Sequence, residues 1–388
     1  MTKQPSYRFT GLEDDWKEVK LGEVFDIVTD YVANGSFESL RNNVKTYEKD
    51  NFAYMIRLQD ASNSWKGPWL YTDEKGYNFL SKSRLFKDDI LMSNVGTVGR
   101  FFQVPELDRP MTLAPNSVLI RSTSSNNQFL YFMMLTANIQ DQIAMRKTPG
   151  VQDKINKTDF KKVIATLPSL LEQTAIGSFF QDIDQLISLQ QRKLEVLKEQ
   201  KKTYLKLLFP AKGQTKPALR FAGFEDEWKE VKLGEIIKSI SSKNYITEYS
   251  KEGNNPVIQQ GDIPIVGFSD NKPFNNFSNV ILFGDHTLSL FKPETPFLLA
   301  TDGIKILHSD LTTQSFLFIM LERYLPKSQG YKRHYSLLKN ELSSLPFLPE
   351  QEAIGSFFQD LDKAIAKQEE KVNQLKESKQ TLLRKMFI

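Results

Sequence analysis

Apolar residues recur in alternating steps of four and three along two long stretches of this chain. In the first stretch these seam positions include Ile176, Phe180, Ile183, Ile187, Leu194 and Leu197. In the second stretch they include Ile354, Phe358, Leu361, Ile365, Val372 and Leu375. A heptad spacing kept over this length predicts two long coiled-coil helices, because an amphipathic helix of a globular core seldom runs past about 25 residues.

Both seams contain polar residues at matching places. Gln190 and Lys201 stand in the first seam, and Gln368 and Lys379 stand in the second. Such residues cost stability and help to fix the register and orientation of paired helices. The helices could pair within the chain or between chains. Pairing within the chain is simpler, and we expect it to be antiparallel, which would give a pseudo-two-fold molecule. Each helix of roughly 38 residues would span about 57 Å and would set a fixed distance between the domains.

A glycine lies inside each predicted helix, although glycine weakens a helix interior by about 1 kcal/mol relative to alanine. We interpret Gly177 and Gly355 as points where another stretch of backbone approaches closely. Ser169 and Glu172 have capping-box spacing and mark the start of the first helix. Pro349 can occupy the first position of the second helix, where its missing N–H costs nothing.

The helices belong to an internal duplication. Residues 7–24 read YRFTGLEDDWKEVKLGEV and residues 219–236 read LRFAGFEDEWKEVKLGEI, at an offset of 212 (228 − 16 for the tryptophans). Residues 172–209 and 350–387 are identical at 21 of 38 positions, at an offset of 178 (350 − 172). The blocks between these repeats share no obvious register, and the first is longer by about 34 residues (212 − 178). Repeated start motifs and helices with unlike blocks between them indicate a common frame that carries two different recognition domains, called readers below.

Both variable blocks show mixed patterns with short strands. In the first we predict a helix at Asn126–Lys147 and strands at Phe52–Gln59, Ile90–Met92, Val98–Val104, Ser117–Ile120 and Thr158–Leu167. In the second we predict a helix at Thr312–Leu325 and strands at Ile263–Phe268, Val280–Phe283, Thr287–Phe291 and Gly303–His308. The expected fold class is α+β, with two mixed α/β domains joined by two long helices in an antiparallel intramolecular coiled coil. The predicted division is 1–168 for the first domain, 169–209 for its helix, 210–218 for a linker, 219–347 for the second domain and 348–388 for the C-terminal helix.

Composition narrows the classes of function. The 388 residues are 40% hydrophobic, which predicts packed cores, and most of the 28 phenylalanines are interpreted as core. The chain contains no cysteine, which excludes disulfides, thiolate zinc sites and cysteine nucleophiles. The N-terminal residues are polar, and no apolar stretch approaches the roughly 20 residues of a membrane span. We therefore expect a soluble cytoplasmic protein, whose net charge of +4 permits nucleic-acid binding without establishing it.

The sequence contains no catalytic constellation that we can identify. His286, His308 and His334 have no partner at the spacing of a metal site or a catalytic triad, so they are interpreted as structural, with His334 also a candidate phosphate contact. Glycine-rich phosphate loops and the [DN]PP[YF] motif of DNA methyltransferases are absent. Nuclease-like carboxylate–lysine patterns end at Lys201 and Lys379, but they lie inside the heptad helices and are interpreted as structural.

Polar, basic and aromatic residues cluster in several predicted loops. Such side chains read base edges and bind phosphates, so we predict DNA binding for them, although loops are polar in any case. In the first block the candidates are Lys66, Trp69, Asn94, Thr97, Arg100, Arg146, Lys147, Gln152, Lys154 and Asn156. In the second block they are Gln259, Gln260, Asn271, Lys272, Asn275, Gln329, Tyr331, Lys332, Arg333 and His334.

Together these features resemble the DNA-specificity (S) subunit of type I restriction–modification systems. The resemblance rests on the start motif W-x-x-V-x-L-G-E at Trp16–Glu23 and Trp228–Glu235. It rests also on the two helices, which follow LPxLxEQ or LPFLPEQ and continue as AIGSFFQDxD. It covers nearly the whole chain, and the departure is the shorter second block.

The resemblance implies a non-catalytic subunit in which each variable block is a target-recognition domain for one half of a bipartite, asymmetric DNA site. Two modification (M) subunits, which bind S-adenosylmethionine and methylate adenine, would dock on the duplicated frame. Two restriction (R) subunits, which use ATP and Mg²⁺, would complete the nuclease. The chain itself would carry no cofactor and no metal.

Two alternatives remain open on the sequence alone. A DNA-modifying enzyme with an unrecognised site would cleave or methylate DNA without partners. A stand-alone coiled-coil scaffold would bind only protein, which a salt-sensitive, sequence-specific gel shift with partner subunits would exclude.

Overall fold

The computed structural model of the chain describes residues 4–148, 150, 152–211, 213–330 and 332–388. It contains two compact units, one formed by Met1–Leu189 with Val372–Ile388 and the other by Gln190–Lys371. The two heptad stretches are continuous helices, the first long helix at Leu170–Leu207 and the second long helix at Leu348–Met386. Each unit therefore contains part of both long helices.

The first unit is built from short strands and short helices around these rods. Its strands are β1 (Lys17–Lys20), β2 (Ile27–Asp30), β3 (Ala53–Ile56), β4 (Leu70–Thr72), β5 (Arg84–Leu85), β6 (Ile90–Met92), β7 (Phe101–Gln103), β8 (Met111–Leu113), β9 (Val118–Arg121) and β10 (Ile164–Leu167). Its shorter α-helices are Leu21–Val24, Phe37–Asn43, Leu58–Ser62, Glu74–Phe79, Asn127–Met134, Ala137–Arg146 and Lys157–Lys161. Short 3-10 helices cover Tyr31–Asn34 and Ser81–Ser83.

The strands of the first unit form three sheets within its described residues. β1 pairs antiparallel with β10, so the start motif lies against the strand that leads into the first long helix. An antiparallel sheet has the order β2-β9-β6-β7, and a mixed sheet has the order β4-β3-β8-β5 with β3 parallel to β8. Strands β3, β6 and β8 are buried at every position, which explains the continuous apolar character of β3 and β6, whereas β8 buries one polar residue, Thr112.

The second unit has a comparable set of elements. Its strands are β11 (Lys229–Lys232), β12 (Lys238–Ile240), β13 (Asn255–Ile258), β14 (Ile265–Ser269), β15 (Ile281–Gly284), β16 (Leu290–Phe291), β17 (Leu298–Leu299), β18 (Ile304–His308) and β19 (Leu342–Leu345). Its shorter α-helices are Leu233–Ile236, Gln314–Arg323 and Tyr335–Asn340, and 3-10 helices cover Lys243–Tyr245 and Phe277–Asn279. β11 pairs with β19, and the other sheets have the orders β12-β18-β15-β16 and β14-β13-β17.

The two variable blocks share one topology although their sequences share no register. The sheet β2-β9-β6-β7 corresponds to β12-β18-β15-β16, and the parallel pair β3 and β8 corresponds to β13 and β17. The first block is longer because it inserts α-helices where the described part of the second block has none. These inserted helices are Phe37–Asn43, Leu58–Ser62, Glu74–Phe79 and Ala137–Arg146.

An aromatic core fills each unit at corresponding positions of the repeat. The first core contains Trp16, Phe129, Phe180 and Phe387. The second core contains Trp228, Phe316, Phe358 and Phe209. Phe387 directly follows the second long helix and Phe209 lies two residues beyond the first long helix. In the first unit, the end of the second long helix therefore packs against the variable block that precedes the first long helix. In the second unit, the end of the first long helix packs against the variable block that precedes the second.

Four predicted elements in the first block were wrong in part. Val98–Val104 is a strand only over β7, and local capping divides the other three. Phe52–Gln59 is a strand only over β3, since the Asp60 carboxylate accepts from the backbone N–H of Arg57 at 2.8 Å and starts a helix. Thr158–Leu167 begins as a helix capped by the side chain of Asn156, and becomes a strand only at β10. Asn126–Lys147 is two helices separated near Thr136. The predicted fold class is confirmed: mixed α/β blocks alternate with two long helices.

Candidate nucleic-acid interface and paired helices

An arginine from each start motif is held by the first glutamate of a long helix. Arg8 Nε and Nη2 donate to the two carboxylate oxygens of Glu172 at 2.8 and 2.6 Å, and the Glu172 side chain is buried. Arg220 donates to Glu350 in the same two-bond geometry, at 2.7 Å for both bonds. A bidentate arginine–carboxylate pair fixes orientation as well as charge. The repeated arginine and glutamate therefore fasten each start motif to a helix.

The glutamine beside each of these glutamates fastens the variable block to the same helix. Gln173 Oε1 accepts from the backbone N–H of Asn126 at 3.0 Å, and Gln351 Oε1 accepts from Thr313 at 3.3 Å. Each glutamine also donates to the carbonyl of the proline five residues before it, at 3.0 Å. Asn126 and Thr313 are the N-caps of corresponding helices in the two blocks. The E-Q pair of the repeat is thus a structural anchor.

The long helices run antiparallel within the first unit. Lys379 Nζ lies 2.5 and 2.7 Å from the two carboxylate oxygens of Asp184. Phe387 lies 5.8 Å from Phe180 between ring centroids. Residue numbers thus increase along one helix as those of their partners decrease along the other. Lys379 also lies 5.1 Å above the ring of Phe132, which adds a cation–π contact.

The second unit repeats this arrangement with its own halves of the helices. Lys201 Nζ lies 2.9 Å from Asp362 and 2.8 Å from Glu322. Burial lowers the pKa of Lys201, but the two carboxylates outweigh it and leave the pKa above its ordinary value. Lys198 pairs with Glu369 at 2.5 Å, so this pairing is antiparallel as well. The nuclease-like aspartate–lysine patterns are thus used in ion pairs between helices.

The seam predicted along each long helix is the side that is shielded from solvent. The twelve apolar residues predicted for it are all buried or half-buried, whereas neighbours such as Glu195 and Lys376 are exposed. The predicted close approach of backbone at the two helical glycines is confirmed. A Cβ on Gly177 would lie 2.9 Å from the backbone nitrogen of Phe129, and one on Gly355 would lie 3.1 Å from that of Phe316.

Two of the loops predicted to bind DNA meet in the first unit. The backbone N–H of Ile155 donates to the carbonyl of Asn94 at 3.1 Å, and that of Gly96 donates to Asp153 at 2.9 Å. The candidates left exposed on these loops are Thr97, Arg100, Lys147, Gln152, Lys154 and Asn156, whereas Asn94 and Arg146 are half-buried. Residues far apart in sequence therefore present one polar and basic surface.

The third candidate loop of the first unit has partly structural contacts. Trp69 is half-buried and its ring lies 4.7 Å from that of Tyr54 between centroids, so it packs on a core cluster. Asn63 donates to the carbonyl of Gly67 at 2.6 Å and closes the loop on itself. Lys66 is exposed beside it.

In the second unit the candidate residues lie on separate turns. Gln259 and Gln260 are half-buried, and Gln260 Oε1 accepts from the backbone N–H of His286 at 3.1 Å. Arg333 lies 3.6 Å from Asp302 at the surface. The remaining exposed candidates are Asn271, Lys272, Asn275, Gln329 and Lys332.

Tyr331 lies outside the described residues. The phosphate-contact prediction for His334 is wrong, because its side chain is fully buried. Its Nδ1 lies 3.0 Å from the carbonyl of Asp285, and the Asp285 carboxylate accepts from the backbone N–H groups of His334 and Tyr335 at 2.9 and 2.7 Å. His334 is therefore structural.

Sequence reasoning missed a group of residues beside Asn94 and Lys154. A cleft in the first unit joins these two to Tyr31, Val32, Phe37, Arg41 and Asn116. Phe37 is 78% exposed, although most phenylalanines were expected to be core. The available signal was weak, because a single apolar residue at the start of a seven-residue helix gives no detectable period.

The described residues include no group of three histidine or acidic side chains placed to hold a metal ion. They also include no helix that is long and apolar enough to cross a membrane.

Comparisons with known proteins agree on one family. A family model described as the type I restriction modification DNA specificity domain matches residues 13–199 and 225–377. A putative type I restriction enzyme specificity subunit of Methanocaldococcus jannaschii, MjaX, is 26% identical over 96% of this chain and 95% of that protein. The MjaVIII specificity subunit of the same organism is 24% identical over 65% of this chain and 68% of its own length.

Solved structures share the fold. The crystal structure of a type I restriction-modification S subunit from M. genitalium covers 100% of this chain and 99% of its own, with a TM-score of 0.62 and 15% identity. A chain from a structural study of complex assembly and conformational transition of the type I R-M system covers 97% of this chain and 98% of its own. Its TM-score is 0.53 and its identity is 18%.

Proposed function

The chain belongs to the type I restriction modification DNA specificity family, and on that premise we propose that its two readers each bind one half of a bipartite, asymmetric DNA site. As a member of this family it is a DNA-recognition subunit and is not itself an enzyme. The proposed readers are residues 1–168 and 219–347. Residues 169–209 and 348–388, with the linker 210–218, form the proposed frame between them.

The main support is that the frame contacts recur in both units whereas the loop chemistry does not. The pair Arg8 and Glu172 has a counterpart in the second unit, as does the pair Asp184 and Lys379. By contrast, the turn before β9 carries Asn116, and the corresponding turn before β18 carries Asp302. Two unlike reading surfaces on two like frames favour a DNA site whose halves differ.

The repeated frame also supports docking of two copies of one partner, since each like surface can bind one copy. The partners we propose are two modification subunits, which bind S-adenosylmethionine and methylate an adenine flipped out of the duplex. Two restriction subunits that use ATP and Mg²⁺ complete the assembly. The proposed location is the cytoplasm, where the DNA of the cell is accessible to the complex.

Selection from a pool of duplexes with a randomised central segment tests the two-reader proposal. The selecting species is the full chain assembled with its modification subunits. We expect enriched sequences to contain two specified blocks separated by unspecified bases. Deleting either variable block should abolish enrichment of the full site. Enrichment of a single block by the intact complex, or of no sequence, would contradict the proposal.

Native mass spectrometry of the assembled complex tests the proposed stoichiometry. One copy of this chain with two modification subunits is expected. A saturated assembly with one modification subunit would count against two equivalent docking surfaces.

A further inference from the structure

The cleft in the first unit is formed by segments that are distant in sequence. It lies between residues 30–41, the turn at 115–117, and the joined loops at 94–95 and 154. Leu40 is 3% exposed in a small core cluster and anchors the short helix Phe37–Asn43. Phe37 lies one turn earlier, beyond the edge of that cluster, and is 78% exposed. A large apolar side chain is thus held on a fixed support at the mouth of a cleft whose lining is mainly apolar and also contains polar and basic side chains.

The charge of this cleft suits a polyanion. Arg41 and Lys154 line it and are exposed, and neither forms an ion pair with any residue in the described part of the chain. The one acidic residue of the lining, Asp30, is neutralised by Lys157 at 2.7 Å and also caps the 3-10 helix through the backbone N–H of Ala33. The cleft therefore carries two cations with no internal partner, as phosphate contacts require.

An exposed amide completes the lining. Asn116 lies in the turn between β8 and β9 with φ of +72°, in the left-handed region, and its side chain is exposed. Asparagine tolerates this conformation better than most residues, and its side-chain amide can both donate to and accept from a base edge. The turn thus presents an amide beside the exposed ring of Phe37.

The corresponding corner of the second unit has different chemistry. Backbone hydrogen bonds define the correspondence: Ala114 donates to β3 as Ala300 donates to β13, so Asn116 and Asp302 occupy the same place. There Asp302 is paired with Arg333, and no α-helix stands between β12 and β13 among the described residues, so the exposed ring of that segment, Tyr249, has no helical support. The cleft is therefore specific to one block, as a half-site contact must be if the two halves differ.

Resting on the proposed function, we infer that this cleft is the base-reading surface of the first reader. Phe37 packs against base edges in the major groove, where thymine methyl groups offer apolar contact. The Asn116 amide hydrogen-bonds to a base edge, and Arg41 and Lys154 bind flanking phosphates.

The test compares variants of the full chain assembled with its modification subunits, selecting from the pool of randomised duplexes. Phe37→Ala and Asn116→Gly remove one contact each, and glycine accepts the left-handed turn without strain. Phe347→Ala, in the second unit, is the matched control because Phe347 is also largely exposed, at 69%. We expect Phe37→Ala and Asn116→Gly each to reduce base preference about tenfold at one or two positions of one block. The other block and the thermal midpoint should be unchanged.

The phosphate contacts have a separate readout. Arg41→Ala should leave the preferred sequence unchanged and lower the slope of log affinity against log salt by about one. The inference is overturned if Phe37→Ala and Asn116→Gly leave both blocks unchanged, or weaken both equally. A wild-type complex that enriches no sequence would instead overturn the proposed function, so the two failures are distinguishable.

Discussion

Gln368 and Gln190, which occupy the same position in the two copies of the repeat, hydrogen-bond to each other: Gln368 Nε2 donates to the backbone carbonyl and to the side-chain oxygen of Gln190, each at 2.9 Å. When two copies of one helix pair antiparallel, equivalent residues of the two copies can lie opposite each other at only one point along the pair. The polar pair stands at that level, and Gln368 is buried there. It therefore ties the register of the helices to the repeat itself.

We expect Gln368→Ala to destabilise the chain by about 1 kcal/mol or more, because it removes two hydrogen bonds made from a buried position and takes this partner away from the half-buried Gln190 side chain. The measurement is the urea midpoint of the full chain. Gln200→Ala, at an exposed position of the first long helix, is the control and should have little effect. Equal midpoints for both variants would show that the glutamine contact does not stabilise the helix pair.

Alanine at the two helical glycines should destabilise the chain despite its better helix propensity of about 1 kcal/mol. At Gly177 the new Cβ would lie 2.7 Å from Asn126 Oδ1 and 2.9 Å from a backbone nitrogen, whereas at Gly355 the nearest atom is Ser315 Cβ at 3.0 Å. Gly177→Ala should therefore lower the thermal midpoint more than Gly355→Ala. A gain in stability at Gly177 would mean that the helix pulls away from its neighbour at little cost.

The tryptophans of the two start motifs differ in one hydrogen bond, so a comparison of the two measures what that bond contributes to stability. Trp228 Nε1 donates to the buried Glu350 carboxylate at 3.1 Å, whereas Trp16 Nε1 has no hydrogen-bond partner among the described residues. Tryptophan-to-phenylalanine variants lose similar volume at both sites. We expect Trp228→Phe to cost more than Trp16→Phe by about 1.5–3 kcal/mol, the range for a bond to a charged group. Denaturant titration of the two variants measures the difference, and equal losses would contradict it.

Alkaline pH should weaken the first unit through Tyr131. Burial, and then the charge of Asp184, raises the pKa of Tyr131 from 10.0 to about 12. A raised pKa in the folded state means that the contribution of this tyrosine to stability is complete below pH 10.0 and is lost as the pH rises toward about 12. Tyr131→Phe should flatten the fall of the thermal midpoint over this range, whereas Tyr249→Phe, at an exposed site, should not. Identical profiles for wild type and Tyr131→Phe would contradict the assignment.

The frame was predictable because its residues obey two regularities that can be read along the chain. The heptad spacing from Ile176 onward predicted continuous helices, and the 178-residue offset placed Lys201 and Lys379 at matching seam positions, where each pairs with an aspartate of the other helix. The helix interior at Asn126–Lys147 was predicted as one element and is two, because the Thr136 hydroxyl donates to the carbonyl of Met133 at 2.8 Å where the first helix ends. A cap of this kind depends on a single side chain and leaves no trace in the apolar period.

The sequence by itself determined the repeat, the length and polarity of the helices, and the family, because each is a matter of residue type at fixed spacing. Only the tertiary structure decided which loops share a surface, since the contact between Asn94 and Ile155 depends on how strands and helices pack between them. It also buried His334, which its place in a polar and basic loop made a candidate contact, and exposed Phe37, although most phenylalanines were expected to be core. Burial depends on neighbours supplied by distant segments, and local pattern contains no information about those neighbours.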